Sequence, residues 1–151
     1  MSVIALVRAD SENFPLFVHV LGAMILVGGL VTGASSLAFA RGDARGLRLG
    51  YWSLLAVSLP GWVLMRVGAE WIYTEGHWDD LPKDPDWIGI GFTVTDVGLL
   101  VLLVSLFVGG IGVYRLRSGK GAGLLKVTLA LALVLLAACL VAVWAMAGKP
   151  D

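Results

Sequence analysis

Residues 14–40 read FPLFVHVLGAMILVGGLVTGASSLAFA, a stretch of 27 residues without a single Asp, Glu, Lys or Arg. An α-helix rises about 1.5 Å per residue and the hydrocarbon core of a bilayer is about 30 Å thick, so about 20 apolar residues are enough to cross it. This stretch therefore predicts a transmembrane helix.

Three more apolar stretches of similar length follow along the chain, at about 49–73, 87–114 and 124–148, and each contains one or two charged residues. The whole sequence of 151 residues is 58% hydrophobic and only 15% charged, whereas a soluble domain is about 25% charged. We therefore expect an all-α fold, an antiparallel bundle of four transmembrane helices in a single domain covering residues 1–151. Pro60 and Gly61 interrupt the second stretch and predict a kink that does not break the helix.

The overall charge and the cysteine count narrow the classes of function. Eleven Lys and Arg balance eleven Asp and Glu, so the chain lacks the basic excess of a nucleic-acid-binding protein. The single cysteine, Cys139, excludes an internal disulfide framework and a CxxC pair. No nucleophile arrangement and no phosphate-binding glycine loop is visible, which leaves open whether the protein is an enzyme. The partners that we expect are the lipid bilayer and either a second copy of the chain or a larger membrane complex.

The connections between the predicted helices differ in charge, which predicts orientation because short loops rich in Lys and Arg stay in the cytoplasm. The basic residues of the first and third connections are Arg41, Arg45, Arg48, Arg115, Arg117 and Lys120, with Lys126 just beyond. The acidic residues of the second connection are Glu75, Asp79, Asp80, Asp84 and Asp86. We expect a multi-pass protein of the inner (plasma) membrane with both termini outside. The start, Met1 to Val7, is too short and lacks the basic residues of a signal peptide, so we expect it in the mature chain.

Four ionisable residues lie inside the predicted spans: His19, Arg66, Glu70 and Asp96. Such residues are costly in a bilayer unless they are paired or hydrated, so they are candidates for a functional site. Counting inward from the outer edge places Arg66 roughly 8 Å and Asp96 roughly 13 Å deep. Because helical side chains lean toward the amino end of their own helix, the two should meet as an ion pair. That pair is either a structural clamp between helices or a group that holds an anion.

The polar residues near this pair predict a cavity. The helical face of Arg66 and Glu70 also carries Ser58, Trp62 and Thr74, and the third helix presents Gly89, Thr93 and Asp96 on one side. We therefore expect an outward-facing polar pocket between the second and third helices.

His19 is predicted at the same depth as Arg66, on a helix face that also carries Gly22, Ala23, Leu26, Gly29 and Gly33. It therefore faces the bundle, and Gly29 with Gly33 forms a GxxxG pattern for close packing. His19 is either satisfied by a neighbour such as Glu70 or acts as an axial ligand or proton-transfer group. His77, in the acidic connection, is the candidate second metal ligand. The carboxylates of that connection either hold a divalent cation or belong to a turn-rich cap around Pro82 and Pro85.

The segment from Phe17 to Leu30 contains the pattern H-x-x-G-x-x-x-x-V-G-G-L, formed by His19, Gly22 and Val27 to Leu30. It resembles the opening of copper-resistance-D-type integral membrane proteins and of HemJ-type protoporphyrinogen oxidases. A tryptophan commonly precedes Val-Gly-Gly in those families, and Leu26 stands there in this chain. The resemblance implies that His19 takes part in haem or metal handling.

Two functions follow as hypotheses. In the first, the protein binds haem b, a metal ion or another redox ligand in a pocket formed by His19, Arg66, Glu70 and Asp96, with Arg66 holding a propionate or similar anion. In the second, the polar cluster only locks helices and the protein is a non-catalytic subunit or assembly factor of a larger membrane complex. A transporter is a third reading, but the inner half of the spans offers no ionisable side chain to continue a route.

Overall fold

The described part of the chain, residues 10–77 and 86–148 of a computed structural model, consists of helices joined by short turns and contains no strand. The helices are α1 (Asp10–Phe39), α2 (Ala44–Ser53), α3 (Leu59–Glu75), α4 (Asp86–Arg115) and α5 (Ala122–Gly148), with a π-helical turn at Leu54–Ser58 and a 3-10 turn at Leu116–Ser118. Four helical segments are long and apolar enough to cross a membrane: Asn13–Phe39, Ala44–Glu75, Asp86–Ser118 and Ala122–Gly148. The predicted fold class is confirmed. Met1 to Val7 and Pro82 and Pro85 lie outside the described residues.

The second span begins at Ala44, five residues earlier than the sequence predicts. Asp43 caps the helix, since its side chain accepts a hydrogen bond from the Gly46 N–H at 2.9 Å. The same bond lowers the pKa of the Asp43 carboxyl below its ordinary value, because it stabilises the charged form. Arg45 and Arg48 therefore lie in the first turns of a helix and not in the connection.

The expected interruption at Pro60 takes the form of a π-helical turn. Proline has no N–H to donate to the preceding turn, so the hydrogen-bond pattern has to adjust around it. The turn Leu54–Ser58 ends just before Pro60, and the Leu59 N–H reaches back to the Leu54 carbonyl. The helix then continues to Glu75, as predicted, without a break.

Glycines bring α1 and the second span into direct backbone contact. A Cβ added at Gly22 would lie 2.2 Å from the Met65 nitrogen, one at Gly61 would lie 2.4 Å from the Leu26 nitrogen, and one at Gly29 would lie 2.7 Å from the Ser58 nitrogen. The register between the two antiparallel spans is constant, because moving along α1 by a given number of residues moves the contact back along the second span by the same number. The Ser58 hydroxyl, which is fully buried, donates to the Leu26 carbonyl across this interface.

The third and fourth spans form a second hairpin. Ser105 and Thr128 donate reciprocally to each other's backbone carbonyls, at 3.3 Å and 3.4 Å. Gly109 is buried against Thr128 and against Tyr51 of α2, which joins the two hairpins. Gly109 therefore serves internal packing.

The contact between α3 and α4 is made by long side chains. The Trp62 indole donates to the Thr95 carbonyl at 3.0 Å, and the rings of Tyr73 and Phe92 meet edge to face with their centroids 5.6 Å apart. We call the end of the bundle at residues 40–43 and 116–121 the basic end, and the opposite end, where Gly76, His77 and Asp86 lie, the acidic end. Because α1 runs antiparallel to α3 and α5 runs antiparallel to α4, both described chain ends lie at the acidic end.

Candidate functional site

His19 packs directly on α3 because Gly68 opposite it has no side chain. A Cβ at Gly68 would lie 2.4 Å from the His19 nitrogen. At this distance the imidazole Nδ1 reaches the Met65 carbonyl at 2.9 Å. A carbonyl oxygen only accepts hydrogen bonds, so Nδ1 carries the hydrogen, and in the neutral ring Nε2 is left as an acceptor. His19 faces the bundle as predicted, but Met65 and not Glu70 is its partner.

A cavity that is partly open at the protein surface lies beside His19. Residues of α1, α3, α4 and α5 line it, and most of them are aliphatic side chains and glycines. The lining residues with polar, aromatic or sulfur-containing side chains are His19, Trp62, Met65, Thr95, Cys139 and Met146. The cavity is therefore apolar with an imidazole in its wall, which corrects the expectation of a polar pocket.

Arg66, Glu70 and Asp96 form a separate cluster at the contact between α3 and α4. The Arg66 Nε lies 3.2 Å from the Asp96 carboxylate, and its Nη1 contacts the Glu70 carboxylate. The guanidinium also stacks over the Phe92 ring, 4.7 Å from the centroid. The ion pair predicted between Arg66 and Asp96 is therefore present, with Glu70 as a second partner.

This charged cluster does not line the cavity. Its carboxylates point outward, with 51% of the Glu70 and 59% of the Asp96 side chain exposed at the protein surface, against 23% for Arg66. The sequence placed all three side chains in one pocket with His19, and the structure divides them between an apolar interior and an outer surface.

The predicted polar stripe on α3 is also shorter than expected. Ser58 faces α1, because each four-residue step turns a helix about 40° beyond a full circle and two steps carry Ser58 about 80° away from Arg66. Thr74 binds the carbonyls of Glu70 and Trp71 in its own helix. Only Trp62 links the stripe to the cavity.

His77 is not brought to His19. It follows the end of α3, where its φ is +52° and its N–H bonds the Thr74 carbonyl. His19 lies level with Gly68, nine residues earlier, which corresponds to about 13 Å along the helix axis. Among residues 10–77 and 86–148, no group of three or more His, Cys, Asp or Glu side chains is arranged to hold a metal ion. The acidic residues Asp79, Asp80 and Asp84 lie outside the described residues.

Sequence reasoning missed most of the cavity wall. Trp62 gave a signal, since it is the tryptophan that lies within a span and away from both ends. Cys139 and Met146 of α5 gave no signal, because the sequence of an uninterrupted apolar helix does not show which of its faces lines a cavity. Because the prediction relied on charged side chains, it selected residues that lie at the outer surface and not in the cavity wall.

The chain matches no known protein-family model, and no curated protein or solved structure was found to be similar to it. Its function is therefore inferred from the geometry and chemistry of the cavity.

Proposed function

We propose that the protein is a membrane-embedded binding protein for a neutral, lipid-soluble ligand, held by His19 in the cavity between the four spans. The observation that carries this proposal is the hydrogen bond from His19 Nδ1 to the Met65 carbonyl. It fixes the ring and directs acceptor chemistry to Nε2, in a wall that is otherwise almost entirely apolar. Ligand pockets in proteins commonly combine apolar walls with a small number of fixed polar groups.

The cavity chemistry favours a neutral ligand over haem. Haem carries two propionates, and a carboxylate buried without a cation is strongly unfavourable. No Lys or Arg lines the cavity. Arg66, the cation that the sequence assigned to a propionate, is paired with Glu70 and Asp96 outside it. The lining therefore does not fit haem, although an imidazole with a fixed Nδ1–H is a suitable axial ligand for iron.

A bound metal ion is also disfavoured, because His19 is the single histidine in the lining and no carboxylate accompanies it. The lining does not supply a set of ligands with the charge that a divalent ion needs. A neutral molecule that needs apolar contacts and one polar anchor matches the wall better than either.

The test is a binding titration on the purified protein in detergent. An alkyl-substituted benzoquinone or its hydroquinone should bind with measurable heat. Binding should also change the fluorescence of Trp62, whose contribution is obtained by comparing the protein with the Trp62→Phe variant. Filling the cavity through Ala142→Leu should weaken binding at least tenfold. Ala137→Leu makes the same change on the exposed face of α5 and should leave binding unchanged. Equal binding to both variants, or a Soret band in protein purified from haem-supplied cells, contradicts the proposal.

The charge distribution supports a location and a topology for this protein. The basic residues at the basic end and in the adjoining helical turns are Arg41, Arg45, Arg48, Arg115, Arg117, Lys120 and Lys126. Short basic segments beside membrane spans stay in the cytoplasm. We therefore propose a multi-pass protein of the plasma (inner) membrane with its basic end in the cytoplasm and both termini outside.

A further inference from the structure

The cavity offers hydrogen-bond acceptors, while nearly all of its donors are already used. The Trp62 indole N–H is committed to the Thr95 carbonyl, and the Thr95 hydroxyl donates to the Gly91 carbonyl at 2.7 Å. The His19 Nδ1–H is committed to Met65. Among the lining side chains this leaves the weak S–H of Cys139 as a donor, against His19 Nε2 and the Thr95 hydroxyl oxygen as acceptors.

The same wall is suited to an aromatic ring. Met65 and Met146 present thioether side chains to the cavity, and thioether sulfur makes favourable contacts with aromatic rings. Trp62 adds a large aromatic surface on which a second ring can pack. The Met146 methyl lies over Gly91, in the space that a side chain there would occupy.

Building on the proposed function, we infer that the ligand is a hydroxyl-bearing aromatic compound, a lipid-soluble phenol or hydroquinone, whose O–H donates to His19 Nε2. A quinone, an ether or an ester has oxygen atoms that only accept, so in this cavity such a molecule would leave Nε2 without a partner. Leaving a buried polar group unpaired costs more than the net gain of an ordinary hydrogen bond. The site therefore distinguishes the reduced, hydroxyl form of a ligand from its oxidised form.

Three compounds that share one ring and one decyl chain test this inference: a hydroquinone, its dimethyl ether and the corresponding quinone. Their dissociation constants are measured by calorimetry on the full-length protein in detergent, with micelles alone as the blank. The hydroquinone should bind about fivefold to tenfold more tightly than the ether or the quinone, corresponding to one buried hydrogen bond.

Two substitutions of His19 assign the preference to its Nε2. His19→Phe keeps a ring but removes the acceptor, and it should bring the affinities for hydroquinone and ether to within twofold of each other. His19→Gln retains an acceptor oxygen and should keep part of the preference. Glu70→Gln, which changes a charge outside the cavity, should leave the preference unaltered.

The outcomes separate the two proposals. Binding of all three compounds with equal affinity overturns the inference and leaves the proposed function standing. No binding of any of the three overturns the proposed function and the inference with it. If His19→Phe does not fold, judged by circular dichroism, the comparison of the three compounds on the unsubstituted protein still decides between these outcomes.

Discussion

Arg66 is the cation that pairs with the acidic side chains at the contact between α3 and α4. Its guanidinium contacts the Glu70 carboxylate on its own helix and the Asp96 carboxylate on α4, and it stacks over the Phe92 ring. The cluster therefore has one more negative than positive charge, and removing Arg66 leaves two carboxylates facing each other.

Replacing Arg66 with Met should destabilise the protein by about 1–2 kcal/mol. The loss of a partner from a buried ion pair costs about 3–5 kcal/mol, and exposure of Glu70 and Asp96 reduces this figure. Thermal unfolding in detergent measures the change. Neutralising both acids in the same chain, as Arg66→Met with Glu70→Gln and Asp96→Asn, should restore most of the stability. A triple variant as unstable as Arg66→Met would show that packing of the arginine stem, and not charge, is responsible.

Single residues differ in how far the sequence could predict them. The contact of Arg66 with Asp96 followed from helix depth and from the lean of helical side chains, which are local properties. The Met65 carbonyl as partner of His19 could not be predicted, because it depends on the approach of α3 to α1 at Gly68. A sequence does not show which backbone carbonyl will accept a hydrogen bond from a distant side chain.

At the scale of helices, close packing of α1 on the second span depends on which glycines face the interface. Gly28 and Gly29 are neighbours in one sequence motif but differ in surroundings. A Cβ on Gly28 would meet nothing within 4 Å, whereas one on Gly29 would lie 2.4 Å from the Ser58 hydroxyl and 2.7 Å from the Ser58 nitrogen.

Gly29→Ala should therefore destabilise the protein by about 1–3 kcal/mol, the usual cost of overpacking. Gly28→Ala should be neutral or slightly stabilising, since alanine favours helix over glycine. The two variants have the same composition, which makes each the control for the other. Thermal unfolding midpoints in one detergent give the comparison, and equal midpoints would show that the interface relaxes around a methyl group.

The Asp43 cap of α2 predicts an acid-dependent contribution to stability. The Gly46 N–H, with a further backbone bond from Arg45, lowers the pKa of the folded carboxyl below 3.8, its ordinary value. The charged form is thus favoured by folding, so this contribution is complete above the unfolded pKa and is lost as the pH falls through the folded one. Asp43→Ser caps the helix without titrating, and it should lack this part of the pH dependence. The unfolding midpoint of both proteins between pH 6 and about pH 2.5 provides the test, and parallel curves would exclude the effect.

The helices themselves were largely predictable, because 20 or more apolar residues in sequence determine a span whatever its neighbours are. The largest error was the start of the second helix. Arg45 and Arg48 lower the hydropathy of its first turns, which hid a helix that Asp43 caps and that packs on α1 through Gly50.

At the scale of the molecule, the charged cluster and the basic end are separated by one bilayer core. Asp96 lies 19 residues from Arg115, and Arg66 lies 18 residues from Arg48, which is about 27–29 Å along each helix. On α4 the exposed large apolar side chains begin at Val97, directly after Asp96. If the basic end is at one lipid boundary, Glu70 and Asp96 lie at the other, where headgroups and water can solvate the exposed parts of carboxylates that are also paired with Arg66.

The cavity is a property of all four spans together, and this is why no single stretch of sequence predicted it. Its wall takes one face from each of four helices, and the relative rotation of those helices is set by glycine contacts and by the π-helical turn before Pro60. Whether a residue such as Cys139 faces the cavity depends on that rotation.

The proposed topology leads to a prediction about which end is accessible from outside the cell. After Cys139→Ala removes the single native thiol, Thr74→Cys at the acidic end should react with a membrane-impermeant maleimide on intact cells. Ser118→Cys at the basic end should react only after permeabilisation, because the proposed topology places this end, with its seven Lys and Arg residues, in the cytoplasm. Both sites are exposed in the bundle, so access to the thiol depends on the membrane and not on packing. The reverse pattern of labelling would invert the topology and would turn the cluster of Arg66, Glu70 and Asp96 toward the cytoplasm.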